Sequence, residues 1–312
     1  KSHFVTALPK NAMSDACIMD LKRHSVGLDG ILRVDQGRLG TYYLETGANQ
    51  RASRVEYDRS KSSVSLTEAS KYDWQNIFNN KTWFHITGIT PALSKEACKT
   101  TKVAVQAAKE QNLTVSCDLN FRGKLWKWNK TYSPRELAKK EMPEILKFVD
   151  IIIGNEQDAD NVLGIQIKDA DFDKGSIDIS QYSDIAKMVS EEFSNLSYVA
   201  ITLRESISAN HNRWGAMLYD CKNQAAYFSP EKAGQYSPYE ITHIVDRLGA
   251  GDSFAAALIF SLSEYEFRPK DSLNFSVAAS CISHSIKGDF NITSADEVKR
   301  LAGGFTSGRV VR

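Results

Sequence analysis

Asp246-Arg247-Leu248-Gly249-Ala250-Gly251-Asp252-Ser253-Phe254 joins a glycine pair, a carboxylate and the start of an apolar helical run in one segment. Gly249 and Gly251 lack Cβ atoms, so the backbone can turn tightly and bring its N–H groups against a ligand. Helical sequence follows at once, over 253–262. The unpaired N–H groups and positive dipole end of that helix face the Gly-Ala-Gly turn and favour an anion there. Asp252 stands at the same spot, where a carboxylate can accept a proton from an attacking hydroxyl while the N–H groups stabilise a phosphoryl group. An ordinary strand-turn-helix joint with Asp252 as N-cap would share the pattern. The rest of the chain decides between the two.

The 312 residues, 42% hydrophobic and 25% charged, suit one large domain or a domain with an appendage. A formal net charge of +1 gives no global attraction to nucleic acid or to a membrane surface, which points to a small-molecule partner. Cys17, Cys98, Cys117, Cys221 and Cys281 are odd in number and widely spaced, the usage of a reduced, cytoplasmic chain. No run is long enough to span a membrane. The chain opens inside strand-like His3-Phe4-Val5-Thr6 without an initiator Met, and reads as lacking its native N-terminus.

Along the chain, 14–24 suits an amphipathic helix. Short strand-like runs follow at 31–34, 41–45, 54–58 and 62–66, punctuated by Gly37, Gly40 and Gly47. They read as a small antiparallel sheet, 31–66, projecting from a core made of 1–30 and 67–312. Buried-type runs then recur at 83–86, 114–117, 148–153, 198–202 and 216–219, with helical stretches at 94–111, 134–146, 181–194 and 252–262 and two more helices near 271–286 and 294–302. This order predicts an α/β fold with a mostly parallel sheet flanked by helices. Ligands of such sheets lie beyond the carboxyl ends of the strands. Asp169, Asp171 and Asp173 mimic a calcium loop, but the glycine falls one position late at Gly175 and Ser180 stands where a Glu is needed. His85 and His284, in apolar surroundings and without a second ligand at metal spacing, read as core residues.

The opening segment resembles the Asp-Thr-x-Gly-Ala-Gly-Asp signature of the pfkB (ribokinase-like) carbohydrate kinases, with Arg247 in place of the usual Thr. Asp118-Leu119-Asn120-Phe121-Arg122, followed by Leu125-Trp126, is similar to a segment of the subgroup that phosphorylates 2-keto-3-deoxygluconate. Tyr42, the Tyr57-Asp58-Arg59 run and Asp289 match further positions of that subgroup. The resemblance implies a ribokinase-like fold in which 31–66 is a β-sheet lid. It implies ATP and Mg2+ as cofactors, with Asp252 as general base and the Gly249-Ala250-Gly251 backbone as anion hole. Arg59, with Tyr42 and Tyr57, would hold the acid end of the sugar; Arg122 would lie near the transferred phosphate and Asp289 near the sugar. Asn155 and Asp158 match the family's Asn-x-x-Glu, which organises magnesium and phosphate, and nucleotide contacts fall at Thr202, Arg204 and Asn274. Relatives often have a glycine-rich strand end where this chain has Arg204-Glu205-Ser206. The family's N-terminal Gly-Gly and Asn, which bind sugar hydroxyls, would precede Lys1.

A sugar acid carries a carboxylate and needs a cation, best an arginine fork. The leading expectation is therefore an ATP-dependent kinase of 2-keto-3-deoxygluconate acting at its terminal hydroxyl. A kinase of a neutral sugar such as fructose and a non-catalytic sugar-acid sensor remain open, the sensor disfavoured by retention of Asp252. A dinucleotide-dependent oxidoreductase is excluded by the lack of Gly-x-Gly-x-x-Gly after the first strand of the alternating region. The exposed face of the lid sheet is a candidate contact for a homo-oligomer.

Overall fold

The computed structural model describes residues 1–165, 179–264, 266 and 268–305, so Asp169, Asp171, Asp173 and Gly175 lie outside the described residues. Two compact units divide the chain. Lys1–Glu45, Arg54–Ile152 and Gln157–Gly164 form the first; Thr46–Ser53, Ile153–Glu156 and the described part of Ile165–Arg312 form the second.

The first unit opens with β1 (Thr6–Pro9), α1 (Ala12–Arg23) and β2 (Ile31–Val34), and β2 lies parallel to β1. Strand-like sequence at 3–6 contributes only its last residue to β1; His3 makes an isolated bridge to Gly27. Asn11 caps α1 by accepting the Ser14 N–H at 2.9 Å. Only Ser14 of this helix is buried, and Met13 and Met19 are exposed, so its cap and end charges define it more than an apolar face does.

Next come β3 (Thr41–Glu45) and β4 (Arg54–Asp58), an antiparallel pair in which Tyr42 faces Tyr57. The small sheet expected over 31–66 is thus narrower. Its first run belongs with β1 across the α1 crossover, and its last run is a helical turn, α2 (Ser63–Leu66). Ser and Thr hydroxyls account for the second change. Ser65 Oγ donates to Ser62 O at 2.7 Å and Thr67 Oγ1 to Ser63 O at 2.8 Å, local bonds that compete with a strand ladder. Gly37, at φ +80°, allows Ser63 to approach so closely that a Cβ on the glycine would lie 2.8 Å from the Ser63 backbone.

After α3 (Trp74–Phe78) the strand-helix alternation takes the expected form: β5 (Trp83–Thr87), α4 (Ile89–Ala92), α5 (Lys95–Glu110), β6 (Thr114–Asp118), α6 (Pro134–Leu146) and β7 (Ile151–Gly154). β5 and β6 are parallel, and β7 follows β6. Ser94 caps α5, whose Ala97, Thr101, Ala104, Val105 and Ala108 form one buried stripe at helical spacing. A Ser133/Glu136 capping box with Pro134 at the first turn starts α6. Ile151, Ile152 and Ile153 are all buried, each stabilising by roughly 1.5–3 kcal/mol, so β7 is pinned and the residues just after it are held in place. They enter α7 (Glu156–Asp158), which runs into a π-helical turn at Ala159–Leu163.

In the second unit, α8 (Ile179–Glu192) packs on β8 (Tyr198–Ser208) and β9 (His211–Asp220). No helix separates the runs at 198–202 and 216–219; a two-residue turn at Ala209-Asn210 does, so β8 and β9 pair antiparallel. β10 (Ala225–Ser229) continues this meander, β11 (Glu231–Lys232) and β12 (Gln235–Tyr236) form a short hairpin, and β13 (Tyr239–Ile241) joins the other end of β9. Three helices complete it: α9 (Ala250–Glu264), α10 (Pro269–Ser283) and α11 (Ala295–Ala302). Small residues let α9 and α10 approach, with Ser261 Oγ donating to Ser272 O at 3.1 Å. Ala257, Phe275, Ala278, Ala279 and Val298 form the core beneath them.

Candidate active site

In the first unit, the cross-strand pair Tyr42 and Tyr57 presents two rings on one side of the hairpin, and Arg59, two residues beyond Tyr57, falls on the same side. Its guanidinium carbon lies 5.5 Å from the Tyr42 ring centre and 5.2 Å from that of Tyr57. The neighbouring carboxylates serve other cations. Asp58 takes the Arg38 fork, and Glu56 accepts from Arg54 at 2.7 Å with Lys124 nearby. Burial pushes the Arg59 pKa down, and the positive Arg122 adds to that, against the weaker opposing effect of the two tyrosines. Among the described residues no carboxylate pairs with Arg59. A partly desolvated cation beside a second cation is an environment that an incoming anion relieves.

Arg122 is exposed and donates to the Phe121 carbonyl at 2.9 Å. The segment carrying it is fixed from below. Asn120 adopts φ +37° with its N–H on Asp118 Oδ1 at 3.1 Å and its side-chain amide on Thr87 Oγ1 at 3.3 Å. Trp126, 1% exposed, anchors the far end. Asp158 is also buried, and its Oδ1 accepts the Phe121 N–H at 2.9 Å. The carboxylate expected to act on magnesium therefore also holds the Arg122 segment, a role the sequence alone did not signal.

In the second unit, the glycine turn opens directly into a helix. α9 starts at Ala250, three residues earlier than its apolar run, because Gly249 O accepts the Ser253 N–H at 2.7 Å. Asp252 is thus an exposed first-turn residue, not the cap. Gly249 has φ +74°, and a Cβ there would lie 2.6 Å from Asp289 O, so no other residue fits. Gly251 differs: a Cβ there would meet nothing within 4 Å. Open space over the first turn of a fifteen-residue helix suits a phosphate.

Two side chains brace this turn. Asp246 accepts the Leu248 N–H through Oδ1 and the Gly288 N–H through Oδ2, both at 3.0 Å. Asn291 donates to Ser253 Oγ at 2.7 Å and to Ala279 O at 3.1 Å. Asn291 was not picked out from sequence, since the bond that makes it matter spans 38 residues. Asp289 is exposed beside Gly249. Arg247, the departure from the signature, is spent on the β8–β9 turn: it donates to Ala209 O at 2.7 Å, to Ser208 O, and to Asn212 Oδ1 at 3.1 Å.

The expected nucleotide residues also belong to the second unit. Asn155 follows β7, Thr202 Oγ1 donates to Gly154 O at 3.4 Å, Arg204 is exposed on β8, and Asn274 is half-buried on α10. The structure thus gathers the expected residues in two sets, Tyr42, Tyr57, Arg59, Arg122 and Asp158 in one unit, and Asn155, Thr202, Arg204, Gly249 to Asp252, Asn274 and Asp289 in the other. Among the described residues no group of three or more His, Cys, Asp or Glu forms a metal site. His284 is buried on Ser280 O at 2.8 Å, the core role expected of it, whereas His85, which bonds Ser116 Oγ at 2.8 Å, is exposed on β5 and not in the core.

An α/β body with parallel strands, a small antiparallel hairpin and a glycine turn opening a helix with a carboxylate in its first turn define a ribokinase-like fold. The chain belongs to the pfkB family of carbohydrate kinases, whose model matches residues 1–203, and it is therefore a phosphotransferase acting on a sugar. It is similar to the 2-dehydro-3-deoxygluconokinase of Thermotoga maritima, with 42% identity, a TM-score of 0.85, and 97% of this chain and 85% of that one covered. It is 25% identical over 306 residues to the 2-dehydro-3-deoxygalactonokinase of Haloferax volcanii, covering 98% of this chain and 83% of that protein. The fructokinase of Xylella fastidiosa with bound ATP shares the fold at 16% identity and a TM-score of 0.73, over 98% of this chain and 86% of its own.

Proposed function

We propose that the protein transfers the γ-phosphoryl group of ATP to the terminal hydroxyl of 2-keto-3-deoxygluconate. One observation carries the substrate class: Arg59 is a partly desolvated cation between two tyrosine rings, and among the described residues no carboxylate pairs with it. A neutral sugar leaves that charge unanswered, whereas a sugar carboxylate pairs with it. The names of the Thermotoga and Haloferax relatives, both kinases of 2-dehydro-3-deoxy sugar acids, support the same reading.

In this reading Arg59, Tyr42 and Tyr57 bind the acid end and Arg122 offsets charge on the phosphoryl group in flight. Asp252 accepts the hydroxyl proton as oxygen attacks, and the N–H groups opening α9 take up the negative charge. Asp289 lies near the sugar; Thr202, Arg204 and Asn274 contact the nucleotide. The open face over Gly251 fits a phosphate of ATP. Asn155 and Asp158 would hold Mg2+ through its water shell, and the ion would supply positive charge against the negative charge of the phosphates. Such an ion, carried largely by phosphates, needs no dedicated cluster of protein ligands.

The test is ADP release measured with a panel of neutral sugars and keto-deoxy sugar acids. Turnover confined to the sugar acids is expected. Faster turnover of fructose or ribose would replace the substrate assignment while leaving the kinase assignment intact, and no turnover of any sugar with bound ATP would favour a sensor.

A further inference from the structure

Arg247 is the one signature position where this chain departs from the family pattern, and its side chain does what a threonine cannot. A Thr hydroxyl sits two bonds from Cα and reaches only its own turn. The guanidinium reaches the β8–β9 turn and holds three acceptors there: Ala209 O at 2.7 Å, Ser208 O, and Oδ1 of the buried Asn212 at 3.1 Å. All three acceptors are neutral, and Arg204 stands near enough to oppose the charge. The arrangement is therefore a mechanical clamp and not an ion pair.

The same turn is gripped from the other side. Ala209 donates its N–H to Asn49 O at 2.7 Å, and Asn49 donates its own N–H to Asn210 Oδ1 at 2.7 Å. Asn49 holds φ +52° in doing so. The Ile244 N–H closes on Asn210 O at 3.1 Å, binding the turn to the approach of the signature segment. Residues 46–53, which belong to this unit, are the covalent link between β3 and β4.

We propose that Arg247 is a positioning residue that ties residues 46–53 to the phosphate-binding turn through the β8–β9 turn, so that nucleotide on the glycine turn stiffens the link between the strands carrying Tyr42 and Tyr57. The tie itself needs only a nucleotide at the glycine turn; its value to acceptor binding rests on the function proposed above. Arg247 takes no part in proton or phosphoryl transfer.

The experiment is hydrogen exchange on the full chain with and without the non-hydrolysable ATP analogue AMP-PNP and Mg2+, with binding checked by calorimetry and no acceptor present. In the native protein the analogue slows exchange over 46–53 and 206–213 by about fivefold or more, the lower end of common coupling strengths. Arg247→Thr still binds the analogue but brings exchange over 46–53 to within about twofold of the unliganded rate, and Arg247→Lys, which can still reach the carbonyls, recovers part of the protection. Asn210→Ala removes one of the two bonds to Asn49; it lowers protection over 46–53 and keeps it over 206–213, and it decides the matter if Arg247→Thr does not fold. Protection over 46–53 that is absent in the native protein with analogue bound, or unchanged in both variants, overturns the proposal. Failure of the analogue to bind at all overturns it together with the assignment of the glycine turn, whereas failure of the sugar-acid panel leaves it standing.

Discussion

Gly249 and Gly251 are two residues apart and carry opposite demands. At Gly249 a methyl group would combine a left-handed backbone with contact on Asp289 O, so Gly249→Ala should destabilise the fold by about 2–4 kcal/mol, read as a lowered midpoint in urea. At Gly251 a methyl group meets only open space, so Gly251→Ala should leave stability within about 0.5 kcal/mol yet weaken ATP binding, because it intrudes where phosphate is expected. Calorimetry of ATP on both variants separates the two; unchanged ATP affinity in Gly251→Ala would remove the phosphate from that face. Asp252→Asn keeps size and removes the carboxylate proposed as general base. Turnover should fall by about 10² to 10⁴ with ATP affinity retained, and turnover within a few-fold of the native rate would exclude general-base catalysis at this position. Arg59→Ala should raise KM for the sugar acid by about 2–5 kcal/mol of lost pairing with little change in KM for ATP, and equal changes in both would point to a folding defect.

At the scale of elements, the β3–β4 hairpin buries little: of its ten residues none is classed as buried, whereas β7 is buried throughout. A two-stranded pair with so few apolar contacts opens at low free energy. Binding of the sugar acid to Tyr42, Tyr57 and Arg59 should therefore slow exchange over 41–45 and 54–58 far more than over 114–118, measured by mass spectrometry. Equal protection with and without substrate would make the hairpin a fixed element and move the gating of phosphoryl transfer elsewhere.

For the molecule as a whole, His284 links pH to stability. Burial holds its pKa below the usual value, with Arg247 and Arg204 adding to that against the hydrogen bond to Ser280. The unfolded chain takes up a proton near pH 6.5 while the folded chain does not, so stability is full above that pH and falls as pH drops toward the folded pKa. The effect reaches the signature segment, because the Val245 N–H donates to His284 O at 2.8 Å. Urea midpoints between pH 7.5 and 5.5 should decline less steeply in His284→Gln than in the native protein. An identical decline would assign the effect to other groups.

The sequence by itself determined the elements whose causes are local. Capped and periodic helices such as α5, α6 and α11 and the continuous apolar strand β7 were legible because the cap, the period and the burial lie within a dozen residues of one another. The glycine turn leading into a helix with Asp252 in its first turn was legible for the same reason. Tertiary structure alone decided what depends on distant partners. The run at 31–34 left the small sheet because β1 offered a parallel partner, and the helical turn at 63–66, made by its own hydroxyl bonds, lies with Ser63 close against Gly37. The freedom of Arg59 follows from Arg38 and Arg54 taking the carboxylates beside it, and the work of Arg247 and Asn291 from acceptors 35 to 39 and 12 to 38 residues away. A side chain's type is written in the sequence, but its partner is set by which segments the fold brings within 3 Å of it, and hydrogen bonds and charge pairs act only at that range.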